Sequence, residues 1–386
     1  MKRREFLQQT GSFVGGALLA RMAAAAPALA MPAAGGRKTR RVLFVAFAGG
    51  VRSRETILAP QNVPNLMALA ERGTVFPATR VMNVGHFGAT LSLFTGCTEY
   101  MGIRENTRGF NPTLFEYVRK QLKLPASDVW LSTTAGAQQL NFSYGLHKDY
   151  GPAYGANVIA GDGLFNADLT DAVTRLGSPR ALAESEEALV LKLRSAMRPD
   201  FALAAGERLN DQEAAARIER YLLNEITGHS TRDLTGPGAA DAKAIRVGAS
   251  ILQLFRPRLL GIVLGEADTA HGSYNRYVEI IRRNDEELGK LFKLIDKDQE
   301  LSDSTAVFLL PEFGRDKDLN QRNGLDHGDQ SDELLKVAMI AAGPDFPRGK
   351  TATEDIASID VCPTIGALLG VKTPQAQGGR LKKLVA

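Results

Sequence analysis

The sequence RVLFVAFAGG, residues 41–50, decides the fold of this chain. Six consecutive apolar residues, Val42 to Phe47, end at a small-residue turn that contains Gly49 and Gly50. A short unbroken apolar run predicts a strand that is buried on both faces, as in a parallel sheet. Comparable runs recur at Val129–Ser132, Leu259–Leu264, Thr305–Leu310 and Lys336–Gly343.

Helical patterns alternate with these runs. Apolar residues recur at helical spacing in Val63–Arg72, Asp211–Ile226, Ala239–Phe255 and Tyr274–Ile295. This alternation predicts an α/β fold, with a doubly wound, mostly parallel sheet flanked by helices. Functional sites of such sheets lie at the carboxyl ends of the strands. The loops that follow the apolar runs are therefore where we expect the chemistry.

The chain reads as a single α/β domain over residues 40–386, without internal repeats or a domain linker. A mainly helical insertion is predicted near residues 163–257. The segment Gly136–Gly161 is rich in Gly, Asn, Tyr and Ser and is predicted to be a long irregular loop. Long loops in compact domains are often functional.

The first 30 residues have the pattern of a signal peptide of the twin-arginine type. Arg3 and Arg4 stand in a basic start, Phe13–Ala20 is an apolar run, and Ala28–Ala30 is a small-residue cleavage pattern. We expect cleavage after Ala30, a flexible leader over residues 31–39 and a periplasmic or extracellular location. The apolar run is too short to span a bilayer comfortably, so no transmembrane anchor is expected after cleavage.

Composition excludes one class of partner. The net charge is +4, of which the first 30 residues contribute +3, so the remainder is nearly neutral. No basic stripe with interleaved aromatic residues is present, which argues against a nucleic-acid partner. The two cysteines, Cys97 and Cys362, are too few for a thiolate metal cluster. Their spacing is equally compatible with a disulfide and with two buried free thiols.

The few histidines narrow the search for reactive groups. Asp268 and His271 follow the apolar run that ends at Leu264, and His327 lies in a later loop rich in Asp and Gly. A carboxylate and an imidazole on one loop suit a divalent metal such as zinc. For each pair taken alone, a helix-capping Asp and a surface His is the favoured explanation. His86 stands in a glycine-bracketed loop that enters a helix, a place suited to an anion or a nucleophile.

Taken in order, these segments resemble the alkaline phosphatase and sulfatase superfamily over nearly the whole chain after residue 40. The resemblance rests on the first strand and its turn, on Asp268, His271 and His327, and on three motifs. These motifs are VPNLMALAERG at residues 63–73, LFTG at residues 93–96 and IDVCPTIGALLG at residues 359–370. The resemblance implies an alkaline-phosphatase-like fold and a two-metal hydrolytic site.

The same resemblance implies that one metal site is complete and the other is dismantled. Asp268, His271 and His327 match the ligands of one site. At the second site, Gly49 occupies the position of the first-turn Asp, and Glu312 with the following Phe stands at an Asp-His position. His86 falls on the nucleophile position, with Thr90 as a fallback nucleophile inside the helix.

Two functions follow as hypotheses. The first is an exported, metal-dependent hydrolase of phosphate or sulfate esters. It would hold one divalent metal, zinc by its ligands, at Asp268, His271 and His327, with Glu312 left at the second site. His86 would be its nucleophile or general base, and Arg52 or Arg315 would hold the small anionic ester. The second is a non-catalytic relative that binds a ligand or a partner protein in the cell envelope. A plain exported α/β protein with structural histidines is the remaining alternative.

Overall fold

The strand order places five parallel strands side by side. The computed structural model describes residues 36–100, 108–134, 139–160 and 234–381. Its strands are β1 (Arg41–Phe47), β2 (Gly73–Arg80), β3 (Val129–Thr133), β4 (Asn157–Ala160), β5 (Leu259–Leu264), β6 (Thr305–Pro311), β7 (Lys336–Ala342) and β8 (Lys350–Thr351). They form one sheet in the order β4-β3-β5-β1-β6-β7-β2-β8. β4, β3, β5, β1 and β6 are parallel, whereas β7 runs antiparallel to β6 and to β2.

Helices cover both faces of this sheet. They are α1 (Pro64–Glu71), α2 (His86–Thr95), α3 (Leu114–Gln121), α4 (Ala239–Phe255), α5 (Tyr274–Lys297), α6 (Gln299–Ser304), α7 (Asp332–Leu335) and α8 (Val361–Leu368). The residues of α2, α3 and α8 pack in one hydrophobic cluster, and those of α1, α4 and α5 pack in the other. The predicted α/β class with a doubly wound, mostly parallel sheet is confirmed.

Strand β1 shows why its sequence is continuously apolar. Val42 and Phe44 belong to the hydrophobic cluster on one face of the sheet, and Leu43 and Val45 belong to the cluster on the other. Successive side chains of a strand point to opposite faces, so a strand covered on both faces needs apolar residues at every position. Replacing the fully buried Phe44 by Ala would cost about 3–5 kcal/mol through the lost burial and the cavity left behind.

Three strands were not predicted from the sequence. β4 lies inside Gly136–Gly161, the segment predicted to be an irregular loop, and β2 and β8 form the far edge of the sheet. β4 and β8 are short edge strands with four and two residues. Pairing with a neighbour decides such strands more than their own pattern does.

Several sequence predictions lie outside the described residues. They are the signal peptide over residues 1–30, the start of the leader, the helix Asp211–Ile226 and the insertion up to residue 233. In the described part of the chain, no helix is both long enough and apolar enough to cross a membrane. Cys97 and Cys362 are buried free thiols, which resolves the alternatives that their spacing left open.

Candidate metal centre

The site forms where three neighbouring strands end at one edge of the sheet. Phe47, the last residue of β1, is in register with Leu264 of β5 and with Pro311 of β6. The three segments that follow, residues 48–50, 265–271 and 312–315, therefore emerge side by side. The sheet register thus brings together residues that lie more than 200 positions apart in the sequence.

Three histidines, His86, His271 and His327, meet at this edge, and we call them the histidine cluster. One ring nitrogen of each lies within 4.8 Å of those of the other two. The ring centroids are 4.7 Å apart for His86 and His327, 5.0 Å for His271 and His327, and 6.4 Å for His86 and His271. His86 is the first residue of α2, and His271 ends the turn after β5.

Asp268 lies against the same nitrogens. Its Oδ1 is 2.9 Å from His86 Nε2 and 3.3 Å from His271 Nε2. Ligands about 2.0 Å from a tetrahedral zinc ion stand about 3.3 Å from one another. The contacts of Asp268 Oδ1 with His86 and His271 are therefore about as long as the separation between two ligands of one such ion, and the ring nitrogens of the histidine cluster lie within 4.8 Å of one another.

Carboxylates fix the other ring nitrogen of two of these histidines. His271 Nδ1 is 2.5 Å from Asp326 Oδ1, and His86 Nδ1 is 2.6 Å from Glu312 Oε1. A metal-binding histidine almost always donates its second N–H to such a partner, which leaves the first nitrogen free for the ion. His86 Nε2 is buried and has no hydrogen-bond partner, because its contact with Asp268 is an ion pair without hydrogen-bond geometry. These residues fit a metal ion.

The surroundings of His86 and His327 shift their pKa values in opposite directions. Burial opposes the charged form of His86, but the attraction of Glu312 and Asp268 outweighs it and raises the pKa of His86 to about 9. Burial and the positive charges of His86 and Arg315 together lower the pKa of His327 to about 4. The neutral imidazole is the form that binds a metal.

Asp268 stays ionised in spite of burial. Burial by itself would raise the pKa of its carboxyl, but the ion pairs with His86 and Arg315 and the hydrogen bond from Arg315 hold that pKa well below its usual range. A deprotonated carboxylate is the form that ligates a cation. The sequence-predicted ligands Asp268, His271 and His327 thus lie near one another, and His86 lies beside them.

Glu312 lies behind His86 and does not face the other histidines. It is buried, one of its carboxylate oxygens contacts His86 Nδ1, and the other accepts a hydrogen bond from the Thr90 hydroxyl. That Glu312 is a metal residue stays a prediction; in this arrangement both of its carboxylate oxygens contact protein groups. Thr90 lies inside α2, as predicted, and is buried.

The two arginines that were predicted to bind the substrate anion, Arg52 and Arg315, donate hydrogen bonds to protein groups. Arg52 binds Glu55 through Nε and Nη2, at 2.8 and 2.5 Å, and donates from Nη1 to the carbonyl oxygens of Asp316 and Lys317. It anchors the segment after β6, and none of its described contacts is with the histidine cluster. Arg315 does reach the cluster, where its Nη2 is 2.6 Å from Asp268 Oδ1.

Gly49 closes the position at which the resemblance places a second-site ligand. A Cβ added to Gly49 would lie 2.5 Å from the backbone nitrogen of Asp268 and 2.8 Å from the carbonyl oxygen of Gly265. Both obstacles are backbone atoms, so no side chain fits there without moving the turn. The absence of the acidic residue is therefore built into the packing.

Two carboxylates near the site, Asp326 and Asp316, have partners that the sequence did not indicate. Asp326 holds His271 Nδ1, and Asp316 Oδ1 accepts hydrogen bonds from the backbone of Gly328 and Asp329, which orders the loop that carries His327. Asp326 directly precedes His327 in the sequence, which was the available signal. Nothing in the sequence indicated that it faces a different histidine.

No model of a known protein family matches the sequence, and no curated protein does either. Solved structures do match. Wild-type alkaline phosphatase PafA aligns with a TM-score of 0.55 and 10% identity, over 92% of this chain and 100% of that chain. A 2-O GAG sulfatase aligns with a TM-score of 0.52 and 12% identity, over 90% of this chain and 74% of that one. A protein in the alkaline phosphatase superfamily from Vibrio parahaemolyticus aligns at 0.51 and 12%, over 92% and 72%.

These alignments define the fold. It is the alkaline phosphatase and sulfatase type of α/β fold, and the resemblance read from the sequence is confirmed at that level. More particularly, its solved structural neighbours include phosphatases and sulfatases. At identities of 10–14%, the alignments show the fold alone. The chemistry must be argued from the residues of this chain.

Proposed function

We propose that this protein is an exported, metal-dependent hydrolase of phosphate or sulfate esters, with one divalent ion held by His271, His327 and Asp268. The observation that carries the proposal is the convergence of these donors with His86 Nε2, while carboxylates occupy Nδ1 of His86 and His271. Nitrogen and carboxylate donors favour zinc. When bound, such an ion polarises an ester oxygen and lowers the pKa of water.

His86 is the proposed proton-transfer residue. A catalytic zinc site keeps one position open beside three protein ligands, and His86 is the fourth group that faces this position. Glu312 fixes its Nδ1–H, so Nε2 is the atom that exchanges a proton with the substrate. In its ion-paired form His86 carries a proton on Nε2 that can pass to a leaving oxygen, and in its neutral form Nε2 can accept one.

The N-terminus of α2 is the proposed anion site. This helix begins at His86, has ten residues and lacks a side-chain cap at its first turn. The first N–H groups of a helix have no partner within it and carry a partial positive charge that favours anions. The amides that follow His86 therefore replace Arg52 and Arg315 as donors to the phosphate or sulfate group.

A non-catalytic binding role is the second candidate. It is favoured by one observation, the closure of the Gly49 position by the backbone of the turn that carries Asp268. A protein that has lost a two-metal site can retain the fold to bind a ligand or an envelope partner. This candidate predicts that replacing His86 leaves the binding activity unchanged.

The test combines ion content with turnover. The purified protein is loaded with zinc, manganese or magnesium and assayed on aryl phosphate and aryl sulfate esters. We expect His271→Ala to lose the ion and the activity. His86→Gln should keep the ion and lose activity by about 10²- to 10⁴-fold, the usual contribution of a proton-transfer group. His147→Gln is the matched control, because His147 contacts Phe110 and Tyr150 and lies outside the cluster.

Absence of turnover with every ion, in a folded protein, would reject the hydrolase and leave the binding role. Loss of the ion in His86→Gln would make His86 a ligand and remove its assigned role in proton transfer.

A further inference from the structure

The guanidinium of Arg315 fills an enclosed space next to the histidine cluster. Its side chain is completely buried between the turn after β1 and the turn after β5. A Cβ at Gly50 would lie 2.8 Å from Arg315 Nε, and Gly50 has a φ of +64°. Only glycine adopts this backbone readily and leaves the space. The Gly49-Gly50 pair that follows β1 therefore leaves the space that this arginine occupies.

Every donor of this guanidinium faces a protein acceptor. Its acceptors are the carbonyl oxygens of Gly49, Gly50 and Leu325, Asp268 Oδ1 and His271 Nε2. An arginine has five N–H donors in a fixed fork, and in this arrangement each of them has a protein acceptor. The contact with His271 Nε2, at 3.1 Å, uses the lone pair that an ion would take. A bound ion would displace this contact and leave the other four.

The charges of the site balance for one ion. Three carboxylates contact the cluster, namely Asp268, Glu312 and Asp326. With neutral imidazoles, Arg315 and one divalent ion carry three positive charges and offset them; a protonated His86 adds a fourth positive charge. A second divalent ion would leave two uncompensated positive charges within a few ångströms, in a site where burial strengthens repulsion.

We infer that Arg315 is a positioning residue that acts as a built-in cation, holding Asp268 as a ligand and taking the place of a second metal ion. This inference rests on the proposed metal centre. The inference predicts that the protein binds one divalent ion per chain, whereas the resemblance to the alkaline phosphatase and sulfatase superfamily implies a two-metal site. The fork geometry matters as much as the charge, because a single ammonium group cannot contact Gly49, Asp268 and His271 together.

The test measures zinc bound per folded chain and its affinity, independently of turnover. We expect one zinc ion in the wild type. Arg315→Lys should still bind one ion, with affinity reduced tenfold or more. Arg315→Ala should lose affinity as well, and millimolar methylguanidinium should restore it whereas methylammonium should not. Arg348→Ala removes an exposed arginine for which no side-chain contact is described and should change nothing.

The outcomes separate the two proposals. Two zinc ions per wild-type chain would overturn the inference about Arg315 and leave the hydrolase standing. One zinc ion without turnover would overturn the hydrolase and leave the inference standing. Wild-type affinity in Arg315→Lys would overturn the role of the guanidinium fork. Arg315→Lys keeps charge and most of the bulk, so it carries the test if the Ala variant does not fold.

Discussion

Replacing Gly49 by Ala would test the packing on which the site depends. The new Cβ would lie 2.5 Å from Asp268 N, 2.8 Å from Gly265 O and 2.9 Å from Ala267 C. An ordinary separation is about 3.5 Å, so the two segments must part by roughly 1 Å. Because all three obstacles are backbone atoms, no change of rotamer relieves the overlap. Overpacking of this kind costs about 1–3 kcal/mol, and we expect the upper end of that range.

The displacement should also weaken the metal centre. Asp268 belongs to the turn that must move, and its carboxylate contacts His86 and Arg315 at 2.9 and 2.6 Å. A shift of the turn lengthens both contacts. We expect zinc affinity to fall by about 10- to 100-fold, as when the supporting contacts of a metal site are lost.

The assay is urea unfolding of the metal-free protein, followed by zinc titration. Gly328→Ala is the matched control, because Gly328 lies next to His327 and an added Cβ meets nothing within 4 Å. Its free energy of unfolding should stay within about 0.5 kcal/mol of the wild type. The reasoning is refuted if Gly49→Ala unfolds at the wild-type urea concentration, or if both variants lose the same stability.

Three further expectations concern other residues. Glu312→Gln removes the charge that holds His86 Nδ1, and turnover should fall by about 10²-fold or more while bound zinc stays constant; equal turnover would rule out the orienting role. Burial raises the pKa of Asp241 from 3.8 to about 7, so the folded protein keeps a proton that the unfolded chain releases. The contribution of Asp241 to the free energy of unfolding should therefore be greatest below about pH 4 and fall by up to about 4 kcal/mol as the pH rises to about 7; Asp241→Asn should remove this part of the pH dependence, and an unchanged pH dependence would exclude Asp241 as its source. Cys97 and Cys362 should be inert to a thiol reagent in the folded protein, and both should react after unfolding without reductant; a disulfide would give none.

Most of the central sheet could be predicted from the sequence because its strands are buried on both faces. β1, β5 and β6 are unbroken apolar runs, and such runs leave few alternatives. β2 was missed because burial does not alternate regularly along it, it contains Pro77, and it pairs through an irregular register with β7. β4 was missed because a four-residue edge strand is stabilised by its neighbour more than by its own pattern.

The candidate site divides in the same way. Asp268, His271, His327 and His86 could be named from the sequence because each stands after an apolar run or at the entry to a helix. The roles of Glu312 and Arg315 could not be predicted from the sequence, since they depend on which groups surround each side chain in the folded protein. Arg315 was predicted to hold a substrate anion, yet each of its N–H groups is directed to a protein acceptor.

The sequence by itself determined that the chain has an α/β sheet of this type and that its reactive residues follow the strands. It determined this because burial on both faces leaves a continuous apolar signature, and because strand ends are where polar loops begin. It also showed, in Gly49-Gly50, that the usual acidic turn is missing.

Only the tertiary structure decided why it is missing. Gly49 lies against the backbone of Asp268, and the space beside it belongs to the guanidinium of Arg315, a residue 266 positions away in the chain. Contacts between residues so far apart depend on sheet register and side-chain direction, and no local pattern in the sequence records either one.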